Sequence, residues 1–149
     1  MKKMLFAVAL AAAATVAQAV EVGVTANRDY AGANRNGAGL TIGNKYGNFG
    51  VTAGFERSTV GTNDQNRWSL IGSHDTVKLG SVSVGPRAGV AYLDNQTGSN
   101  GFAAVVGVGA TVPLTSTVTF AADFTRQYGQ NRVQAFDGNR VTLGLRKSF

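Results

Sequence analysis

From Val20 onward, apolar residues alternate one for one with small or polar residues, and no other feature of the chain constrains its fold as strongly. Successive side chains of a β-strand point to opposite faces, so a period of two predicts strands with two unlike faces and argues against helices. The first segment sets Val20, Val22, Val24 and Ala26 against Glu21, Gly23, Thr25 and Asn27. The second and third carry Leu40 and Ile42, then Phe49, Val51, Ala53 and Phe55, with Gly50, Thr52, Gly54 and Glu56 opposite. The fourth, from about Arg67 to Val77, is irregular: Trp68 and Leu70 share a face, Ile71 and His74 break the pattern, and a bulge is expected. The fifth and sixth run from Val82 to Tyr92 and from Phe102 to Val112. The seventh sets Val118, Phe120, Ala122 and Phe124 on one face, and the eighth Val141, Leu143, Leu145 and Phe149.

The spacers between these eight segments alternate in kind. Residues 46–48, 78–80 and 114–116 are tight turns, whereas 29–37, 59–66, 95–100 and 129–139 are longer, polar loops. Short turns on one side and long loops on the other are the pattern of an outer-membrane barrel, and an even number of strands returns both termini to the short-turn side. A soluble sandwich would expose a face rich in Lys and Glu. Here only 15% of residues are charged, against about 25% in ordinary soluble domains. Gly, Ser, Thr and Ala dominate the polar face and suit the narrow lumen of an eight-stranded barrel, which leaves the apolar face to lipid. Closure also removes the unpaired strand edges that a bilayer cannot solvate. The expected fold is therefore all-β: an eight-stranded antiparallel transmembrane β-barrel over residues 20–149, with both termini periplasmic. Aromatics support it. Tyr30, Trp68, Tyr92, Phe102 and Tyr128 fall at the long-loop ends of strands, and Tyr46, Phe49 and Phe149 at the short-turn ends, as two interfacial girdles.

Residues 1–19 read as a cleaved signal peptide: Lys2 and Lys3, an apolar Ala-rich run to Val16, then Ala17-Gln18-Ala19. Without Lys2 and Lys3 the formal charge falls from +6 to +4. The chain has no cysteine and one histidine, which excludes a disulfide scaffold, a thiolate zinc site and a histidine-rich metal site. No cofactor is expected.

The terminal segment VTLGLRKSF places Phe149 on the face of Leu143 and Leu145, and GATVPLTSTVTFAADF runs from one strand through a tight turn into the next. With the signal peptide and the eight strands, these resemble the small bacterial outer-membrane barrels of the OmpA-barrel, OmpX and opacity-like class. The resemblance implies a location in the bacterial outer membrane. It also implies that Phe149 is an assembly signal read by the barrel-assembly machinery. There is no room for the periplasmic cell-wall-binding domain of full-length OmpA proteins.

Two sets of charges are candidates for function. Glu56, Arg87 and Asp123 lie on inward positions at similar counts above short turns, so Arg87 is expected to bridge both carboxylates; Glu21 and Arg146 should form a second inward pair. Arg28, Arg57 and Arg126 fall on the apolar face at the outer ends of their strands, near Arg35, Arg67, Arg132 and Arg140. There they would meet lipopolysaccharide phosphates, which suit the guanidinium fork. Nucleic acid does not fit, because the arginines are interleaved with lipid-facing apolar residues. The reading that follows is a structural envelope protein whose short loops are candidates for contact with host or phage surfaces. Two other classes compete: a narrow pore, and a lipid A-modifying enzyme built around His74. The second is opposed by the place of His74 beside the 78–80 turn, far from the outer leaflet, and by the lack of a serine on its face.

Overall fold

In a computed structural model, residues 20–30, 34–60, 63–95, 100–130 and 137–149 are described; the expected signal peptide and Arg132 lie outside them. The strands are β1 (Val20–Asp29), β2 (Arg35–Tyr46), β3 (Phe49–Val60), β4 (Asn63–His74), β5 (Val77–Leu79), β6 (Val82–Asn95), β7 (Gly101–Pro113), β8 (Val118–Gly129) and β9 (Gly138–Ser148). Consecutive strands pair antiparallel except β4 and β5, which both pair with β6, and β1 pairs with β9. The sheet therefore closes on itself, with β4 and β5 forming one interrupted barrel strand, and the result is an eight-stranded barrel. Several strands run past their expected ends; β2 starts at Arg35 and β4 at Asn63. At the short-turn end the Phe149 N–H donates to the Val20 carbonyl at 3.0 Å, so both ends of the described barrel meet there.

Burial follows the predicted parity. On β7, Phe102, Val106 and Val108 are about half exposed, while Ala103 and Val105 are 2% and 1% exposed. The exposed residues form an apolar outer wall and the buried ones fill the lumen. Aromatic neighbours stack across the strands of that wall: Phe55 on Trp68 with centroids 4.4 Å apart, Tyr92 on Phe102 at 5.0 Å, and Phe49 on His74 at 4.2 Å.

The irregular fourth strand is a bulge. Ser73 faces Arg87 but Val77 faces Val84, so four steps on this strand match three on β6. Asp75 keeps the inward parity of Arg67, Ser69 and Ser73, and the extra residue then reverses the phase, so that Val77 points out. The bulge presses on β6 so closely that a Cβ on Gly85 would lie 1.7 Å from the His74 carbonyl oxygen, which only glycine avoids.

Closure also sets a stagger. From Asp123 the paired row runs through Thr142, Asn27, Gly37, Ser58 and Gln65 to Asn95 on β6. In the other direction it passes through Gly109 to Gly85, also on β6. The row closes ten residues out of step, at 95 against 85. Ten residues at about 3.3 Å each, shared over the barrel strands, raise the row about 4 Å along the strand at every step and tilt the strands.

Candidate functional site: two tiers of charge in the lumen

The lumen holds more charge than the expected inward set, because Arg67, Arg140, Asp29, Arg35 and Asp75 also fall on inward positions. These groups form two tiers. At the long-loop end, Glu56 is the hub. Its Oε2 accepts from Arg67 Nη1 and from Arg140 Nη2, both at 2.6 Å, and its Oε1 accepts from Asn27 Nδ2 at 3.3 Å. Arg140 Nη1 also donates to Asp29 Oδ1 at 2.6 Å, and Arg67 Nε to Gln127 Oε1 at 3.2 Å. Glu56, Arg67 and Arg140 are only 5%, 7% and 5% exposed. Burial of an unpaired charge costs several kcal/mol, and two short charged hydrogen bonds to one carboxylate offset that cost.

At the short-turn end, six charges alternate in sign around the barrel. Lys45 on β2 meets Asp75 at 2.7 Å, and Asp75 lies 3.7 Å from Arg87 on β6. Arg87 Nε donates to Asp123 on β8 at 3.0 Å, Asp123 lies 3.8 Å from Arg146 on β9, and Arg146 lies 3.9 Å from Glu21 on β1. Glu21 on β1 and Lys45 on the adjacent β2 are the two ends of this series of five contacts. Gly109 makes room for the central pair: a Cβ there would sit 1.9 Å from Asp123 Oδ1 and 2.5 Å from Arg87 Nε.

The expected trio is thus corrected. Arg87 is brought to Asp123, while Glu56 is held by Arg67 and Arg140 in the other tier. Equal counts above the short turns do not give equal depth, because the stagger lifts each paired row as it passes round the barrel. Glu21 and Arg146 are brought near each other, but at 3.9 Å they make no direct hydrogen bond. Arg67 and Arg140, grouped by sequence position with the lipid-facing arginines, turn inward; strand parity was the signal that could have placed them. The same signal places Asp75, which continues the inward alternation of Arg67, Ser69 and Ser73.

Arg28, Arg57 and Arg126 are exposed on the outer wall toward the long-loop end. Arg28 lies over the Tyr30 ring at 5.4 Å and Arg126 over Tyr128 at 5.3 Å, while Arg57 pairs with Asp64. They occupy β1, β3 and β8, on one continuous side of the barrel. His74 does not assemble a catalytic group: its Nδ1 meets Thr76 Oγ1 at 3.1 Å, its ring lies on Phe49, and the adjacent Asp75 carboxylate faces the lumen. Among the described residues, no group of three or more His, Asp or Glu side chains could hold a metal ion.

No protein-family model matches the sequence, and a search of curated proteins finds no match. Solved structures do match. Neisserial surface protein A aligns over 88% of this chain and 96% of its own, with a TM-score of 0.63 and 14% identity. The fold is that of a small outer-membrane β-barrel. A major outer membrane protein of Thermus thermophilus gives a TM-score of 0.60 at 14% identity, over 87% of this chain and 99% of its own. Ail, the attachment invasion locus protein of Yersinia pestis, gives 0.57 at 13% identity, over 88% of this chain and 97% of its own. Ail has also been solved with the heparin analogue sucrose octasulfate. At such identities the likeness is one of fold.

Proposed function

We propose that the protein is a structural barrel of the bacterial outer membrane that maintains envelope integrity and whose lumen is closed rather than conducting. The observation that carries this reading is the union of an apolar outer wall with a lumen crossed by two tiers of paired charges. About eight strands leave just enough room for side chains to fill the interior, and here those side chains hold one another. In this reading residues 1–19 are the cleaved signal peptide, the short-turn end and both termini are periplasmic, and Phe149 is the assembly signal for the barrel-assembly machinery. Arg28, Arg57 and Arg126 then lie at the level of lipopolysaccharide phosphates, with Tyr30 and Tyr128 beside them. The same three arginines support a second reading, contact with a sulfated or phosphorylated surface polymer of a host, which the Ail complex makes worth testing.

Envelope fractionation with gel migration before and after boiling tests the membrane reading; a compact, outer-membrane species that shifts on boiling is expected. Lipid accessibility of spin labels at residues 102–112 should oscillate with a period of two, and a flat profile would overturn it. In planar bilayers, steady conductance from the wild-type protein would overturn the closed lumen and favour the narrow pore. Replacing Arg28, Arg57 and Arg126 together with Gln should weaken retention of lipopolysaccharide in purified barrels. If it instead abolishes heparin binding and leaves lipopolysaccharide unchanged, the second reading stands.

A further inference from the structure

On the outer wall, Arg28, Arg126 and Asp94 have no charged partner among the described residues. The arginines lie over the rings of Tyr30 and Tyr128, and the Asp94 carboxylate, half-buried on the outer face of β6, makes no ion pair or hydrogen bond there. These charges occupy opposite sides of the barrel. Arg28 pairs with Val141 and Arg126 with Asn139, so the two arginines flank β9, about 12 Å apart at Cα. β6 lies four strands from β1 in either direction. The strand tilt carries Asp94, near the outer end of β6, away from Arg126, so that it stands about half a turn from the midpoint of the two arginines. Height matches as well. Ten residues of stagger over eight strands lift a paired row by about 1.25 residues per strand, which places Asp94 about three residues further out than either arginine. Arg57 reaches the Asp64 carboxylate of its own barrel across the same interval of about three residues. An outward arginine at this level therefore reaches a carboxylate at that one. Tyr92 lies below Asp94 on the same face and stacks on Phe102, and aromatic residues and arginine are enriched where proteins meet.

We propose that copies of this barrel associate head to tail in the plane of the membrane, with Asp94 of one copy received between Arg28 and Arg126 of the next. The inference rests on the membrane reading, because a bilayer gives every copy one orientation and so turns the two poles toward each other at one level. Unlike poles half a turn apart make a heterologous contact that does not close, and the product is a nearly straight row of barrels. A two-fold contact at either pole would instead set like charge against like. Lipopolysaccharide phosphates compete for the same arginines, and a copy at the end of a row leaves them free for that lipid.

The chain has no cysteine, so introduced thiols report the contact cleanly. Asn139→Cys marks the basic pole beside Arg126, and Asn66→Cys marks the acidic pole beside Asp94. The two batches are refolded together into phosphatidylcholine vesicles free of lipopolysaccharide and then oxidised. The mixture should give disulfide-linked dimers and either batch alone should give few, while a chain with both thiols should give a ladder. Asp94→Lys in the Asn66→Cys batch should lower the dimer yield about ten-fold, and Arg28→Glu with Arg126→Glu in the other batch should restore it. If a charge-reversed chain fails to refold, Asp94→Asn, and Arg28→Gln with Arg126→Gln, carry the test through loss of yield alone. Dimers formed equally well by one batch alone would mean a two-fold or random contact. Dimers that appear only after lipopolysaccharide is added would mean that lipid bridges the copies. Either result overturns the proposal, as does the absence of dimers. Each sample is also run before and after boiling: a wild-type chain without a shift sinks the membrane reading, whereas a shift without dimers sinks this contact alone.

Discussion

The two tiers of the lumen solve one problem in two ways. The long-loop tier is a hub, with one carboxylate, Glu56, holding two arginines at 2.6 Å each. The short-turn tier is an open ring of six alternating charges joined by five contacts from 2.7 to 3.9 Å, so the four inner charges lean on two others each. A hub concentrates the energy in a single residue, whose loss leaves Arg67 without its carboxylate and Arg140 with Asp29 alone. The open ring distributes it, because loss of Arg87 at its middle leaves both neighbours a second partner.

The sharpest way to break the comparison is to remove the hub. Glu56→Gln leaves Arg67 and Arg140 without their shared carboxylate, and loss of one partner of a buried pair costs about 3–5 kcal/mol. Urea unfolding in lipid vesicles should show it. Changing Glu56, Arg67 and Arg140 together to Gln, Met and Met should cost less than Glu56→Gln alone, because no buried arginine is left without its carboxylate and only Asp29, at the outer end of β1, loses a partner. A triple variant as unstable as the single one would mean that packing, not charge, decides this tier.

Arg87→Met strikes the ring at its best-connected member. Asp75 retains Lys45, and Asp123 retains Arg146 at longer range, so the loss should fall near the lower end of that span, about 3 kcal/mol. Equal losses for Arg87→Met and Glu56→Gln in the same unfolding assay would erase the distinction between hub and ring.

Gly109→Ala tests the ring through shape. The added methyl would overlap Arg87 and Asp123, and overpacking costs about 1–3 kcal/mol. Gly72→Ala is the control, since a Cβ there meets only the Ala88 carbonyl oxygen, at 3.5 Å. Gel-shift midpoints on heating should separate the two variants, and matching values would place the Arg87–Asp123 pair elsewhere.

The smallest effect belongs to Glu21→Gln. Glu21 is 15% exposed on its side chain and stands 3.9 Å from Arg146. A loose, partly wet pair contributes under about 1 kcal/mol, so its unfolding midpoint should sit within error of wild type. A large loss would show that the ring is tighter and drier at this end.

Local chemistry in the sequence was enough to determine the strands and their two faces. Period-two alternation named the residues of the lumen and of the outer wall, and the spacers predicted short turns at one end. Arg87, Asp123, Glu21, Arg146 and Glu56 were all legible as inward residues for that reason, and the broken pattern at Ile71 and His74 announced the bulge. Partner choice was not legible. Which inward charge meets which depends on the ten-residue stagger with which β4 closes on β6, and stagger is a property of the closed ring that no single strand contains. Glu56 meets Arg67 as a direct cross-strand pair of β3 and β4, while the lift brings Arg140 to the same carboxylate and leaves Arg87 to Asp123. The outward turn of Val77 was likewise decided by the tertiary structure, because one extra residue reverses every side chain beyond it. The faces follow from the backbone of one strand; the ion pairs follow from how all the strands close.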